Sequence, residues 1–256
     1  MTPAQVALAI GIGLVSGVLA GLFGVGGGIV MTPAFQTMLG LPPIVALATP
    51  LPVIIPTAIS GALRYRRDGE IDLPAAGWMV AAGIPAAVVG ALATEVVATG
   101  LLLVVTAALL AWQAVGIVRG ATRPERTARR TPSPGTFVAI GLAAGLISGL
   151  LGIGGGLVMV PAMAGFLGMP LRRALGTSLA AIVGMVIPGT VVHALLGNID
   201  WLVAVFAAVG AVPGARVGAS IALGTKERTL RLLVGSFMFV VAVVYGVSEG
   251  LRLLEG

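Results

Sequence analysis

The stretch GVGGG at residues 24–28 decides how this chain is interpreted, because it interrupts two apolar stretches with four glycines. A second run, GIGGG at residues 152–156, has the same pattern 152 − 24 = 128 residues later. Residues 13–72 align without a gap on residues 141–200, and 26 of these 60 positions are identical. Since 128 is half of the 256 residues, the sequence predicts a tandem duplication of one structural unit.

The composition indicates that lipid rather than water surrounds most of this unit. Hydrophobic residues make up 58% of the chain, charged residues make up 9%, and the mean hydropathy is +1.11. Soluble domains carry about 25% charged residues, so these numbers exclude a soluble enzyme and a disordered chain. The chain has no cysteine and one histidine, His193, which argues against thiolate chemistry and a multi-histidine metal site. We therefore predict a multi-pass membrane protein without a cofactor or a metal.

The apolar segments divide equally between the two halves of the chain. They are 4–23, 29–39, 44–63, 74–93 and 97–118, then 136–151, 157–167, 172–196, 201–222 and 229–250. The second segment of each half covers only about 16 Å as a helix, roughly half of the hydrocarbon core. We therefore expect the first two segments of each half to form a glycine-broken hairpin of half-helices. The predicted domains are repeat 1 (1–118), a basic cytoplasmic linker (119–134) and repeat 2 (135–256).

The basic residues indicate how the two repeats are oriented. Arg64, Arg66 and Arg67 align with apolar residues of repeat 2, whereas Arg172 and Arg173 align with apolar residues of repeat 1. Every basic loop of one repeat therefore matches a non-basic loop of the other. Basic loops stay cytoplasmic, so this alternation predicts an all-α, polytopic protein of two inverted-topology repeats in a bacterial inner membrane. The net charge of +6 lies in these loops, which argues against nucleic-acid binding.

The glycine runs predict an anion site. They lack the preceding strand of a dinucleotide-binding fingerprint and the Lys-Ser/Thr of a phosphate-binding loop. Irregular backbone at membrane depth is tolerated where it lines a cavity, and each following half-helix directs its positive dipole end at the break. The predicted substrate-binding glycines are Gly26, Gly27, Gly28, Gly154, Gly155 and Gly156. Close helix packing is the alternative. We favour packing for the glycines at four-residue spacing: Gly13, Gly17, Gly21, Gly141, Gly145 and Gly149.

Polar side chains within the apolar segments are further site candidates, because they are expensive in lipid. Thr49 and Thr177 match across the repeats, and Ser178 follows Thr177. Their hydroxyls could donate to an anion or bond back to their own helix. Arg216 could pair with an anion or extend to the interface. Weaker candidates with the same alternatives are Ser16, Ser148, Thr57, Ser60 and Thr190.

Two further polar positions have structural explanations that we favour. Asp72 and Asp200 match across the repeats and each precedes an apolar segment, so we expect helix N-caps. His193 aligns with Tyr65, and we expect a hydrogen-bonded histidine near the membrane interface.

The glycine motif resembles that of a known family. The pattern S-G-x3-G-x2-G-x-G-G-G-x4-P spans Ser16 to Pro33 and recurs up to Pro161, with Ala144 in place of the serine. It is similar to the TauE/SafE family of sulfite and organosulfonate exporters. The resemblance covers nearly the whole chain and implies a substrate among small oxidised-sulfur anions.

These observations predict a secondary transporter, an exporter of small anions such as sulfite or organosulfonates. It would bind the anion near the membrane midplane at the paired breaks and work by alternating access. An anion channel and a non-transporting membrane scaffold or sensor subunit are the alternatives. One histidine and no intramembrane carboxylate argue against an enzyme. The predicted partners are a small anion and the lipid bilayer, and the sequence leaves a homo-oligomer open.

Overall fold

The computed structural model describes residues 1–93, 133–152, 154–237, 239–240 and 243, and every regular element within them is helical. The predicted segment 97–118, the linker 119–134 apart from its last two residues, and the end of repeat 2 lie outside the described residues. The helices are α1 (Pro3–Phe23), α2 (Gly28–Met38), α3 (Pro43–Ala48), α4 (Pro50–Arg67), α5 (Leu73–Ala93), α6 (Pro134–Leu151), α7 (Gly156–Pro161), α8 (Leu171–Leu195) and α9 (Trp201–Gly224). Residues 162–166 continue α7 as a π-helix, and residues 227–237 are helical.

Five of the described helical stretches are long and apolar enough to cross a membrane. They are Pro3–Phe23, Pro43–Arg67, Leu73–Ala93, Leu171–Leu195 and Trp201–Gly224. Large apolar side chains such as Leu92, Val205 and Val209 are more than half exposed on the outside of the bundle. An outer surface of this kind suits lipid rather than water, so the predicted polytopic, all-α membrane protein is confirmed at this level.

Polar side chains cap the N-termini of three helices. The Thr2 hydroxyl accepts from the N–H of Gln5, and the Gln5 side chain accepts from the N–H of Thr2, which caps α1. The Asp200 carboxylate accepts from the N–H groups of Leu202 and Val203 and caps α9. The Asp72 carboxylate accepts from the N–H of Ala75 in α5. The N-cap prediction for the two aspartates is confirmed.

The helices of the two halves are interleaved rather than separate. A Cβ added at Gly13, Gly17 or Gly21 of α1 would overlap the carbonyl oxygens of Ala207, Ala211 and Ala215 of α9. The equivalent glycines of α6 make the same kind of close contact with α5. In the same order, a Cβ at Gly141, Gly145 or Gly149 would overlap the carbonyl oxygens of Met79, Gly83 and Ala87. The first helix of each half thus packs closely on the helix formed by the fourth apolar segment of the other half. This contact confirms the packing role of these glycines.

Polar contacts bring two basic segments and the end of α9 together at one end of the bundle. Arg64 Nε donates to Ser220 Oγ at 3.0 Å, where α4 ends beside α9. Arg172 Nη2 donates to the carbonyl oxygen of Thr225 at 2.6 Å, where α8 begins beside the end of α9. The N–H of Asp72 donates to Thr177 Oγ1 at 2.9 Å. The segments 64–72, 172–177 and 220–225 therefore lie together.

Candidate functional site

The two glycine breaks have the same backbone conformation. Gly24, Gly26 and Gly27 have φ of 68°, 85° and 86°, and their counterparts Gly152, Gly154 and Gly155 have 65°, 90° and 73°. Residues with a Cβ rarely adopt this left-handed region, so the conformation requires glycine. Gly24 and Gly152 end α1 and α6 by donating to the carbonyl oxygens four residues earlier, at 2.8 and 2.9 Å. The repeated glycines therefore encode a repeated break between two helices.

Each break leads directly into the N-terminus of a half-helix. No side chain caps α2 at Gly27 or α7 at Gly155. Among the described residues, the N–H groups of Gly26 and Gly27 donate no backbone hydrogen bond, while the carbonyl oxygen of Gly27 accepts from Val30 and Met31 at 3.2 Å. Free N–H groups and the positive end of a helix dipole favour an anion.

The breaks lie against each other and against the other half of the chain. A Cβ added at Gly156 would overlap the carbonyl oxygen of Gly24 and lie 2.7 Å from Cα of Val25. A Cβ at Gly24 would lie 3.0 Å from Cα of Leu175 in α8, and a Cβ at Gly152 would lie 2.8 Å from the carbonyl oxygen of Leu47 in α3. The breaks therefore meet inside the bundle, and in this conformation Gly156 and Gly24 are in direct contact.

The residues around the meeting point are closed off from the outside. Residues 20–29 are buried, and so are residues 152 and 154–157. Both breaks are therefore shielded by residues that pack around them.

The predicted hydroxyl ligands occupy different environments. Ser178 Oγ is buried and donates to the carbonyl oxygen of Gly24 at 2.8 Å, so this hydroxyl touches the first break. Thr177 Oγ1 accepts from the N–H of Asp72, and Thr49 Oγ1 accepts from the N–H of Asp200 at 3.1 Å. Neither threonine bonds back to its own helix in the described structure. Each joins its repeat to the other, a role that the sequence interpretation missed although both pairs match at the offset of 128.

Arg216 lies apart from the breaks. Its side chain is exposed on the outer face of α9, in an open cleft lined by Pro213, Val217, Ser220 and Ile221. The neighbouring residue Ala215 instead faces α1 and is fully buried. The structure thus places Gly156 and Ser178 against Gly24 of the first break and leaves Arg216 outside.

Two buried hydroxyls close to the first break have no hydrogen-bond partner among the described residues. They are Ser16 Oγ in α1 and Thr32 Oγ1 in α2. The carbonyl oxygen of Ser16 lies 3.1 Å from a Cβ added at Gly27, so this residue packs directly against the break. Ser16 was a weaker sequence candidate, whereas Thr32 had no signal in the sequence because Val160 occupies its equivalent position.

Three other weaker candidates, Thr57, Thr190 and Ser60, have structural partners. Thr57 and Thr190 donate to the carbonyl oxygens of Val53 and Val186 in their own helices, the alternative named for them. Ser60 Oγ donates to the carbonyl oxygen of Val212 and joins α4 to α9. 

The aligned pair Tyr65 and His193 is buried in both repeats. The Tyr65 hydroxyl donates to the carbonyl oxygen of Gly21 at 2.9 Å. His193 Nδ1 lies 3.3 Å from Asn198 Nδ2, which confirms the expected hydrogen bond of this ring, while Nε2 is buried without a partner among the described residues.

The interleaved helices, the lipid-compatible surface and the two buried glycine breaks define a polytopic helical membrane protein. The family model described as "Sulfite exporter TauE/SafE" matches residues 9–245. The chain belongs to this family.

Similar proteins carry transporter names. The chain is 28% identical to the probable membrane transporter protein YunE of Bacillus subtilis (strain 168), over 92% of the chain and 93% of that protein. It is 27% identical to a probable membrane transporter protein of Xylella fastidiosa (strain 9a5c), over 95% of each. A probable membrane transporter protein of Haemophilus influenzae is 31% identical over 69% of the chain and 68% of its own length. No solved structure matches the chain significantly. Family and relatives together identify a membrane transporter.

Proposed function

We propose that this protein exports small anions, such as sulfite or an organosulfonate, from the cytoplasm across the inner membrane. The observation that carries the proposal is the meeting of two buried glycine breaks, each of which aims a half-helix N-terminus with uncapped N–H groups at the bundle interior. The anion would bind to the backbone of residues 26–28 and 154–156, with Ser178 beside them. The family description names sulfite, a small oxidised-sulfur anion that this chemistry suits.

The proposed mechanism is alternating access between two inverted repeats. Crossed contacts support the inversion. Thr49, at the start of α4, accepts from Asp200 beyond the end of α8, while Thr177, near the start of α8, accepts from Asp72 beyond the end of α4. Two helices that meet start to end run in opposite directions, as inverted repeats require.

The described conformation fits an occluded or unliganded step of this cycle. Gly156 touches Gly24, and both breaks are buried. Substrate entry would therefore separate the two breaks. The close contacts between α1 and α9, and those between α5 and α6, would make each pair of helices move as one unit.

The proposed orientation places the end with Arg64, Arg172 and Lys226 in the cytoplasm. The inside-negative potential would then favour export of an anion, by about 2.3 kcal/mol per charge per 100 mV. Thr49 and Thr177 would serve as repeat-to-repeat connections rather than as ligands.

A flux assay in proteoliposomes tests the proposal. Sulfite efflux should be saturable, should stop on Gly27→Leu, and should proceed in the matched variant Gly11→Leu, because a Cβ at Gly11 meets no neighbour within 4 Å. Ohmic currents without saturation would indicate the channel alternative. Absence of sulfite and sulfonate flux under either direction of gradient would contradict the proposal.

A further inference from the structure

The exposed guanidinium of Arg216 needs a partner that the described residues do not provide. Arg216 precedes Gly224, the last residue of α9, by eight positions, which places its Cα about 12 Å inside the helix end. Its side chain makes no hydrogen bond or ion pair with any residue of the described ranges. A charge on the lipid-facing side of a membrane span is expensive unless it is paired or reaches the interface.

The surface around Arg216 combines apolar and polar side chains. Pro213, Val217 and Ile221 form apolar walls of an open cleft of about 590 Å³, and Ser220 lines it one turn beyond Arg216. Arg64 reaches this polar end from α4 through its bond to Ser220 Oγ. The cleft therefore surrounds the guanidinium of Arg216 with apolar side chains, and a second guanidinium, that of Arg64, lies at its edge against Ser220.

An anionic phospholipid has the complementary shape and charge. Its phosphate is a bidentate acceptor for guanidinium groups, and its acyl chain extends from the phosphate into the hydrocarbon core. A carboxylate partner is present for Arg64, whose Nη1 lies 2.8 Å from Asp68 Oδ1. Arg216 has no such carboxylate among the described residues, so no carboxylate competes with the phosphate for its guanidinium.

We propose that this cleft binds an anionic phospholipid of the cytoplasmic leaflet, with the phosphate between Arg216 and Arg64 and an acyl chain along Pro213 and Val217. The site lies on the outer surface of α9, apart from the buried glycine breaks. The proposal therefore does not depend on the transported substrate.

Native mass spectrometry of the full chain, titrated with phosphatidylglycerol or phosphatidylcholine in detergent, tests the proposal. Arg216→Gln should weaken the binding of phosphatidylglycerol about fivefold, as expected for the loss of one basic residue at an anionic headgroup, and weaken that of phosphatidylcholine less, because its choline cation offsets the phosphate charge. Arg216→Lys should retain most of the binding. Arg66→Gln is the matched control, because it removes an exposed arginine at the same end of the bundle but outside the cleft.

Three results would overturn the proposal. The first is equal weakening by Arg216→Gln and Arg66→Gln, which would indicate only general attraction to a negative surface. The second is unchanged binding in Arg216→Gln with a normal size-exclusion profile, which would leave Arg216 merely extended toward water. The third is a disulfide-linked dimer of Val217→Cys in membranes, without one for Val205→Cys, which would show that a second copy covers the cleft. The chain has no native cysteine to confuse this measurement.

Discussion

The two glycine breaks share a backbone and differ in the hydroxyl groups around it. The positive φ angles fall on equivalent glycines, and both breaks contact the other half of the chain at equivalent leucines, Leu175 and Leu47. Near the first break are three buried hydroxyls, those of Ser16, Thr32 and Ser178.

The second break is mainly apolar at the same positions. Ala144, Val160 and Pro50 replace the three hydroxyl residues, although Ser148 stands where repeat 1 has Ala20. The glycine geometry therefore does not depend on these side chains. The comparison suggests that the breaks provide the same backbone donors and that the hydroxyls of the first break orient the anion.

The contact between the breaks should be the most sensitive feature. Gly156→Ala places a Cβ against the carbonyl oxygen of Gly24, which cannot move without moving the whole break. We expect destabilisation of about 3 kcal/mol, the upper part of the range for overpacking, and loss of flux. Thermal unfolding in detergent measures the first effect. Gly165→Ala, in the same hairpin but with open space around its Cβ, should be close to wild type. Equal melting temperatures for the two variants would disprove the contact.

Alanine substitutions at the left-handed glycines test which of the two breaks is packed more tightly. Gly155→Ala and Gly27→Ala both pay about 1–2 kcal/mol for the left-handed conformation. The new Cβ lies 2.7 Å from the carbonyl oxygen of Ala144 in the second break, but 3.1 Å from that of Ser16 in the first. Gly155→Ala should therefore lower the melting temperature more. The opposite order, measured in the same detergent, would show that the two breaks are not packed as described.

Exchange of the equivalent residues Ser16 and Ala144, which pack against the two breaks, tests anion binding separately from stability. Ser16→Ala should reduce sulfite affinity about tenfold, the value of one hydrogen bond to a charged group, without loss of stability, because the hydroxyl has no partner among the described residues. Ala144→Ser should instead destabilise the protein by about 1–2 kcal/mol, because it buries an unpaired hydroxyl.

Concentration-dependent efflux and thermal unfolding of the two exchange variants give these quantities. If Ser16→Ala retained wild-type affinity, the hydroxyls of the first break would have no part in binding.

Much of the helical framework could be predicted from the sequence, because apolar length and glycine position determine it locally. The segments 74–93 and 201–222 correspond to α5 and α9 within two residues at each end. The internal repeat also identified which aspartates cap helices. The positive φ values of the glycine runs were not predicted and come from the structure.

The orientation of individual side chains could not be predicted. α9 is apolar on every side, so its sequence pattern did not show that Ala215 faces α1 while Arg216 faces outward. The bonds of Thr49 and Thr177 depend on residues about 100 to 150 positions away and on how the halves interleave. Contacts of this kind arise from tertiary packing, which a single sequence does not determine.

The equivalent hydrogen bonds of Thr49 and Thr177 give the prediction with the smallest expected effect. Thr49→Val and Thr177→Val keep the shape of the side chain and remove the acceptor of one backbone N–H, at Asp200 and Asp72 respectively. Each should cost about 1 kcal/mol, and the two costs should be nearly equal because the bonds are equivalent. The bonds lie at opposite ends of α4, so the double variant should show the sum. Thermal unfolding of the three variants measures these costs. Markedly unequal single effects would show that the two hydrogen bonds contribute differently to stability, which would argue against equivalent roles for Thr49 and Thr177.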